Sequence, residues 1–95
     1  MLELGISVGA GTDATRVARY NPFAALYWLV SGRTCGGLAR YPSGNRLSRE
    51  EALRLYTVGS SAGFSGESAK KSRLVAGQFA DLSVLSADYF SIPAV

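Results

Sequence analysis

The stretch Val8-Gly9-Ala10-Gly11-Thr12-Asp13-Ala14-Thr15-Arg16 closes a largely apolar run that begins at Ile6, and it sets one carboxylate among small residues. Residues Ile6 to Gly11 read as a short buried strand, with Gly5 before it and glycines at its end. Such a run suits a parallel sheet covered on both faces. The stretch matches the G-x-G-x-x-A spacing of a dinucleotide-binding turn, but that turn opens directly into a helix and has an acidic residue roughly 20 positions on. Here Pro22 interrupts any helix begun at Thr12, and the next acidic residue after Asp13 is Glu50. Two readings of Asp13 remain. A carboxylate at the C-terminal end of a parallel strand stands where α/β barrels place catalytic groups. An aspartate that only shapes the turn accounts for the same spacing.

Composition narrows the chemistry. Ninety-five residues suffice for one small domain. With 47% hydrophobic and only 18% charged residues, a chain this short is expected to bury apolar surface against another chain or another part of its own protein. The net charge of +3 is spread out, and Lys70-Lys71-Ser72-Arg73 is its one cluster. Basic and aromatic residues do not alternate, so no nucleic-acid partner is expected. Cys35 stands alone, which excludes an intrachain disulfide and fits a reducing compartment. Met1-Leu2-Glu3-Leu4 lacks the basic start of a signal peptide. The apolar run Phe23 to Val30 is too short to span a bilayer. These features predict a cytoplasmic protein with no membrane partner. Histidine is absent altogether. That removes Ser-His-Asp and Cys-His nucleophilic sites, His-rich zinc sites and a histidine base from this chain.

Along the chain, Asn21-Pro22 is a helix start, with Asn at the cap and Pro where its missing N–H costs nothing. The helix Phe23 to Val30 is apolar nearly all round, which predicts burial on more than one side, and Gly32 ends it. Residues 33–46 read as a glycine-rich loop. Ser48-Arg49-Glu50-Glu51 is a capping box opening a second helix to about Val58. Ala52, Leu53, Tyr56 and Leu55 are expected inside, with Arg49, Glu50 and Arg54 outside. Gly59 to Gly66 is small and polar, and Val75-Ala76-Gly77-Gln78 reads as a turn. Phe79 to Ser86 alternates as a one-sided strand, with Ala80, Leu82 and Val84 on one face and Asp81 and Ser83 on the other. The two strands are remote and unlike, so each calls for a partner outside this sequence.

Three further matches carry no chemistry. Gly59-Ser60-Ser61-Ala62-Gly63 has the nucleophile-elbow spacing, but it follows a helix and lacks a base. Ser68-Ala69-Lys70-Lys71 matches S-x-x-K without its companion motifs. Cys35, beside Gly36-Gly37, has no local base and reads as an inert small residue.

The order Gly11-Thr12-Asp13-Ala14, Asn21-Pro22, Ser48 to Thr57 and Gly77-Gln78-Phe79-Ala80-Asp81-Leu82-Ser83-Val84-Leu85 resembles the C-terminal end of family 3 amidohydrolases. The resemblance covers almost the whole chain. It departs at Ala76-Gly77, where a P-G turn is usual, and at Ser86, where an aspartate often follows. It implies an α/β fold: the C-terminal fragment of a metal-dependent (β/α)8 barrel that hydrolyses amide-type C–N bonds, plus a strand of the attached β-sandwich. Ile6 to Gly11 would be the eighth barrel strand. Residues 1–74 would hold that strand and the closing helices, and residues 75–95 the sandwich strand and tail. As an isolated chain it would be largely helical with a few short strands.

By the same resemblance Asp13 is the catalytic residue, taking the proton of the attacking water and passing it to the leaving amine. Asp13 also becomes a metal ligand, with zinc as the divalent metal of the parent enzyme. The family's H-x-H pair and other ligands lie upstream of these motifs, so this chain alone is expected to bind no metal and to be inactive. Its expected partners are the remainder of the barrel or further copies of itself, and in the parent a small amide-type substrate. The alternative is a stand-alone binding or interaction protein derived from such a gene.

Overall fold

The computed structural model describes residues 2–13, 20–33, 36–39, 43–60 and 66–93. They divide between two units, residues 1–10 with 54–86 and residues 11–53 with 87–95. Among them the regular elements are helical: α1 (Pro22–Ser31), α2 (Arg49–Tyr56), α3 (Val58–Ser60) and 3-10 turns at Leu2–Leu4 and Ser43–Asn45.

In the second unit α1 begins and ends where its caps dictate. Asn21 Oδ1 accepts from the Phe23 N–H at 2.9 Å, and Pro22 occupies the first turn. Gly32 takes the left-handed conformation, with φ 69°, and its N–H donates to Trp28 O at 2.9 Å. The expectation of burial on several sides is corrected: Leu26 is the one buried residue of α1, while Phe23 and Trp28 are 46% and 40% exposed. Among the described residues of the unit, too few groups lie over α1 to bury them. The Leu47 N–H donates to Leu29 O at 3.1 Å. A cavity of about 140 Å³ lies against Phe23, Leu26, Tyr27 and Val30, closed in part by Arg49, Tyr89, Ile92 and Pro93. In the loop after α1 an isolated bridge pairs Arg33 with Ala39. Cys35 lies outside the described residues.

At the start of α2 the capping box forms in both directions. Ser48 Oγ accepts from the Glu51 N–H at 3.1 Å, and Glu51 Oε2 accepts from the Ser48 N–H at 2.8 Å. Ala52 and Leu55 are buried, Leu53 and Tyr56 half-buried, and Glu50 and Arg54 exposed, as the periodicity predicts. Arg49 departs from its expected outward place. It is half-buried, and its guanidinium donates to Tyr89 O at 2.6 Å and to Ile92 O. In return the Tyr89 hydroxyl donates to Arg49 O at 3.0 Å. Burial pushes that hydroxyl above the ordinary tyrosine range, against the opposing pull of the Arg49 charge.

The cap makes α2 sensitive to acid. The backbone hydrogen bond from Ser48, then the contact with its hydroxyl, hold the Glu51 carboxyl below the ordinary 4.5. A carboxyl depressed in the folded state stabilises it fully above pH 4.5, and that contribution is lost as pH falls through the lowered folded value. Circular dichroism between pH 6 and pH 3 checks this. Helical signal should fall more steeply below that value in the wild type than in Glu51→Gln, whose amide can still fill the box without titrating.

In the first unit both strand expectations are corrected: no described residue lies in a strand. Residues 6–11 run irregularly, and the Ala10 N–H donates to Leu55 O at 3.0 Å. That carbonyl is one of those left over at the C-terminal end of a helix. The stretch therefore finds its hydrogen bond at a helix end, with no strand among the described residues to pair with it. Gly59 permits the approach. A Cβ at this position would collide with the backbone oxygen of Val8 and lie 3.1 Å from that of Arg54. α2 also stops two residues short of the expected Val58, with a turn at Thr57 before α3.

The expected turn at residues 75–78 is present. The Gln78 N–H donates to Val75 O at 3.2 Å, and Gly77 supplies the positive φ of 91°. Beyond it residues 79–86 are exposed and irregular, tied at one end by the Phe79 N–H to Lys70 O at 2.7 Å. Alternation alone does not make a strand, since the ladder needs a neighbour. In the basic turn Lys71 pairs with Glu67 at 2.5 Å, both more than a third exposed. It is a solvated charge cluster.

Candidate functional site

Asp13 stands two residues beyond the glycines that end the apolar stretch, and it is exposed. Its φ of 56° lies in the left-handed region. Aspartate and asparagine tolerate this region better than other non-glycine residues, because a short polar side chain can bond locally. The structure thus shows a left-handed backbone at a residue exposed to solvent. Gly11 before it is exposed and Thr12 half-buried. The following residues, 14–19, lie outside the described set.

The donor set decides whether a metal fits here. The chain contains no histidine. Among the described residues no three His, Cys, Asp or Glu side chains come together. A catalytic zinc takes about three protein ligands besides its water. Asp13 and the described residues around it do not supply that set, and the residues present do not by themselves fit a metal.

The S-x-x-K match and the elbow-like match belong to the first unit. Ser68 lies in the turn before Lys71, its carbonyl accepting from the Gln78 amide at 2.8 Å. Lys71, the lysine of that match, is held by Glu67. Of the elbow-like match, residues 61–63 lie outside the described set. What sequence reasoning missed is the Arg49–Tyr89 contact. Helical periodicity sees only neighbours on one helix, and these partners are 40 residues apart.

No helix among the described residues is long and apolar enough to cross a membrane. No curated protein and no solved structure matches the chain. A family model does, over residues 1–95, and its description is the amidohydrolase family. The match takes in every segment quoted for the resemblance, from Gly11-Thr12-Asp13-Ala14 to the run ending at Leu85. The chain belongs to the amidohydrolase family.

Proposed function

We propose that these residues are the C-terminal portion of a metal-dependent amidohydrolase acting on non-peptide C–N bonds of small amide-type substrates. The observation that supports this reading is the family match along the whole of residues 1–95, in a chain with no histidine. In this reading residues 1–74 close the barrel and residues 75–95 enter the neighbouring sandwich. Zinc is the metal proposed for the complete enzyme, which would supply the Lewis acid for C–N cleavage. Its ligands other than Asp13 come from residues beyond these 95. The lone Cys35 is in keeping with a cytoplasmic setting.

Asp13 is the proton-handling group in this proposal. Its carboxylate accepts a proton from the water that attacks the amide carbonyl, then returns it to the departing nitrogen. Asp13 is exposed, with its backbone at a left-handed φ, which suits access by a substrate. Alone, the chain is expected to be inactive. With zinc, manganese or cobalt added, amide, formamide and cyclic imide substrates should turn over no faster than with free metal. Turnover above that background, abolished by Asp13→Ala, would overturn the proposal.

One observation favours the alternative of a small interaction protein. Leu74, Val75, Phe79, Leu82, Val84 and Leu85 are all large apolar residues more than 40% exposed. Apolar exposure at so many positions along one segment suits a contact surface. In the first reading it is covered by the rest of the hydrolase, and in the alternative by another copy or another protein. The reading frame upstream of Met1 separates the two: an H-x-H motif and seven further strand–helix repeats would establish the hydrolase.

A further inference from the structure

We propose that residues 87–93 form a strap latched over the apolar side of α1 by the Arg49 guanidinium, and that this latch opens without loss of the helices. The strap has its own internal order. Asp88 O accepts from the N–H groups of Ser91 and Ile92 at 3.2 and 3.1 Å, and Asp88 Oδ1 accepts from the Phe90 N–H at 3.0 Å. That single turn leaves the Tyr89 and Ile92 carbonyls over, and both are taken by the two Nη groups of Arg49. The Tyr89 hydroxyl returns a bond to Arg49 O. A planar fork reaching two acceptors is an arrangement that lysine cannot reproduce.

Among the described residues the strap is little buried. Tyr89 is its only half-buried residue, while Phe90 and Ile92 are 57% and 42% exposed. Beneath it lies the cavity of about 140 Å³, walled by Phe23, Leu26, Tyr27 and Val30 of α1. Space there means that few apolar contacts resist lifting. Hydrogen bonds to a charged donor are the stronger kind, so the fork carries most of the closure. The helices have independent supports: Asn21 and Gly32 cap α1, and Ser48 with Glu51 caps α2. Arg49 is thus a positioning residue for the strap, one that the helices can do without.

Native-state hydrogen exchange on the full chain tests this. In Arg49→Met, protection of the Phe90, Ser91 and Ile92 amides should fall about 10- to 100-fold, the worth of one charged hydrogen bond. Protection within α1 and α2 should stay within about threefold of wild type. Arg49→Lys should fall between the two, and Tyr89→Phe should lose less than Arg49→Met. Unchanged protection of residues 90–92 in Arg49→Met would overturn the latch. So would an equal loss in strap and helices, which would make Arg49 part of the general fold. If Arg49→Met does not fold, Arg49→Lys and Tyr89→Phe decide instead: reduced protection of residues 90–92 with unchanged helices supports the latch, and equal loss in strap and helices, or none, overturns it.

Discussion

Replacing Asp13 by asparagine, in a hydrolase that carries this sequence together with the rest of its barrel, is expected to lower kcat about 10²–10⁴-fold. The fold should tolerate the change. Asparagine keeps the size of the side chain, and it is as much at home as aspartate at a φ of 56°. It ranks beside aspartate as a capping group, and the position is exposed, so no buried charge is lost. What disappears is basicity. If Asp13 only shapes the turn, Asp13→Asn should turn over at the wild-type rate. Thermal melts of the two proteins should nearly coincide in either case, which keeps an activity loss from being read as misfolding. Metal content is a third measurement: a modest loss with a retained fold would indicate that the carboxylate is a ligand as well. A wild-type kcat in Asp13→Asn would remove the catalytic assignment.

The second large effect concerns the helical unit. Leu26→Ala is expected to destabilise it by about 2–3 kcal/mol, the lower half of the usual range for a buried leucine. Leu26 is 3% exposed and is the one buried residue of α1. The cavity of about 140 Å³ already stands beside it. The truncation therefore removes transfer energy but adds only modestly to space that is open. Against a total stability of only several kcal/mol for a small domain, such a loss is decisive. Phe23→Ala is the control, because Phe23 is 46% exposed and has less burial to lose. Urea titration followed by circular dichroism should show the midpoint falling well below wild type for Leu26→Ala and less for Phe23→Ala. Equal shifts would mean that α1 is covered on its outer side as well.

Both variants touch places where sequence and structure disagree in part. Glycine spacing and the family resemblance pointed to Asp13, and the structure adds its exposure and left-handed backbone. The apolar character of α1 predicted deep burial, yet Phe23 and Trp28 stay exposed among the described residues. The candidate site was legible only to the extent of one residue. Among the described residues no three His, Cys, Asp or Glu side chains come together, so no local pattern marks a second member of a site.

What the sequence determined by itself is the set of features whose partners lie within about four residues. Asn21 and Pro22 start α1 and Gly32 ends it. Ser48 and Glu51 close their box, and Gly77 makes its turn. Each depends on hydrogen bonds between near neighbours and on the φ angles that particular residues favour, and both are written in local order. Tertiary structure alone decided the rest. Residues 6–11 look like a strand, yet Ala10 bonds to the end of α2. Arg49 looks like a solvent-facing helix residue, yet it holds carbonyls 40 and 43 positions away. A backbone N–H or a guanidinium takes whichever acceptor the folded chain brings within reach. That choice depends on what is packed nearby, and periodicity along one segment contains no information about it.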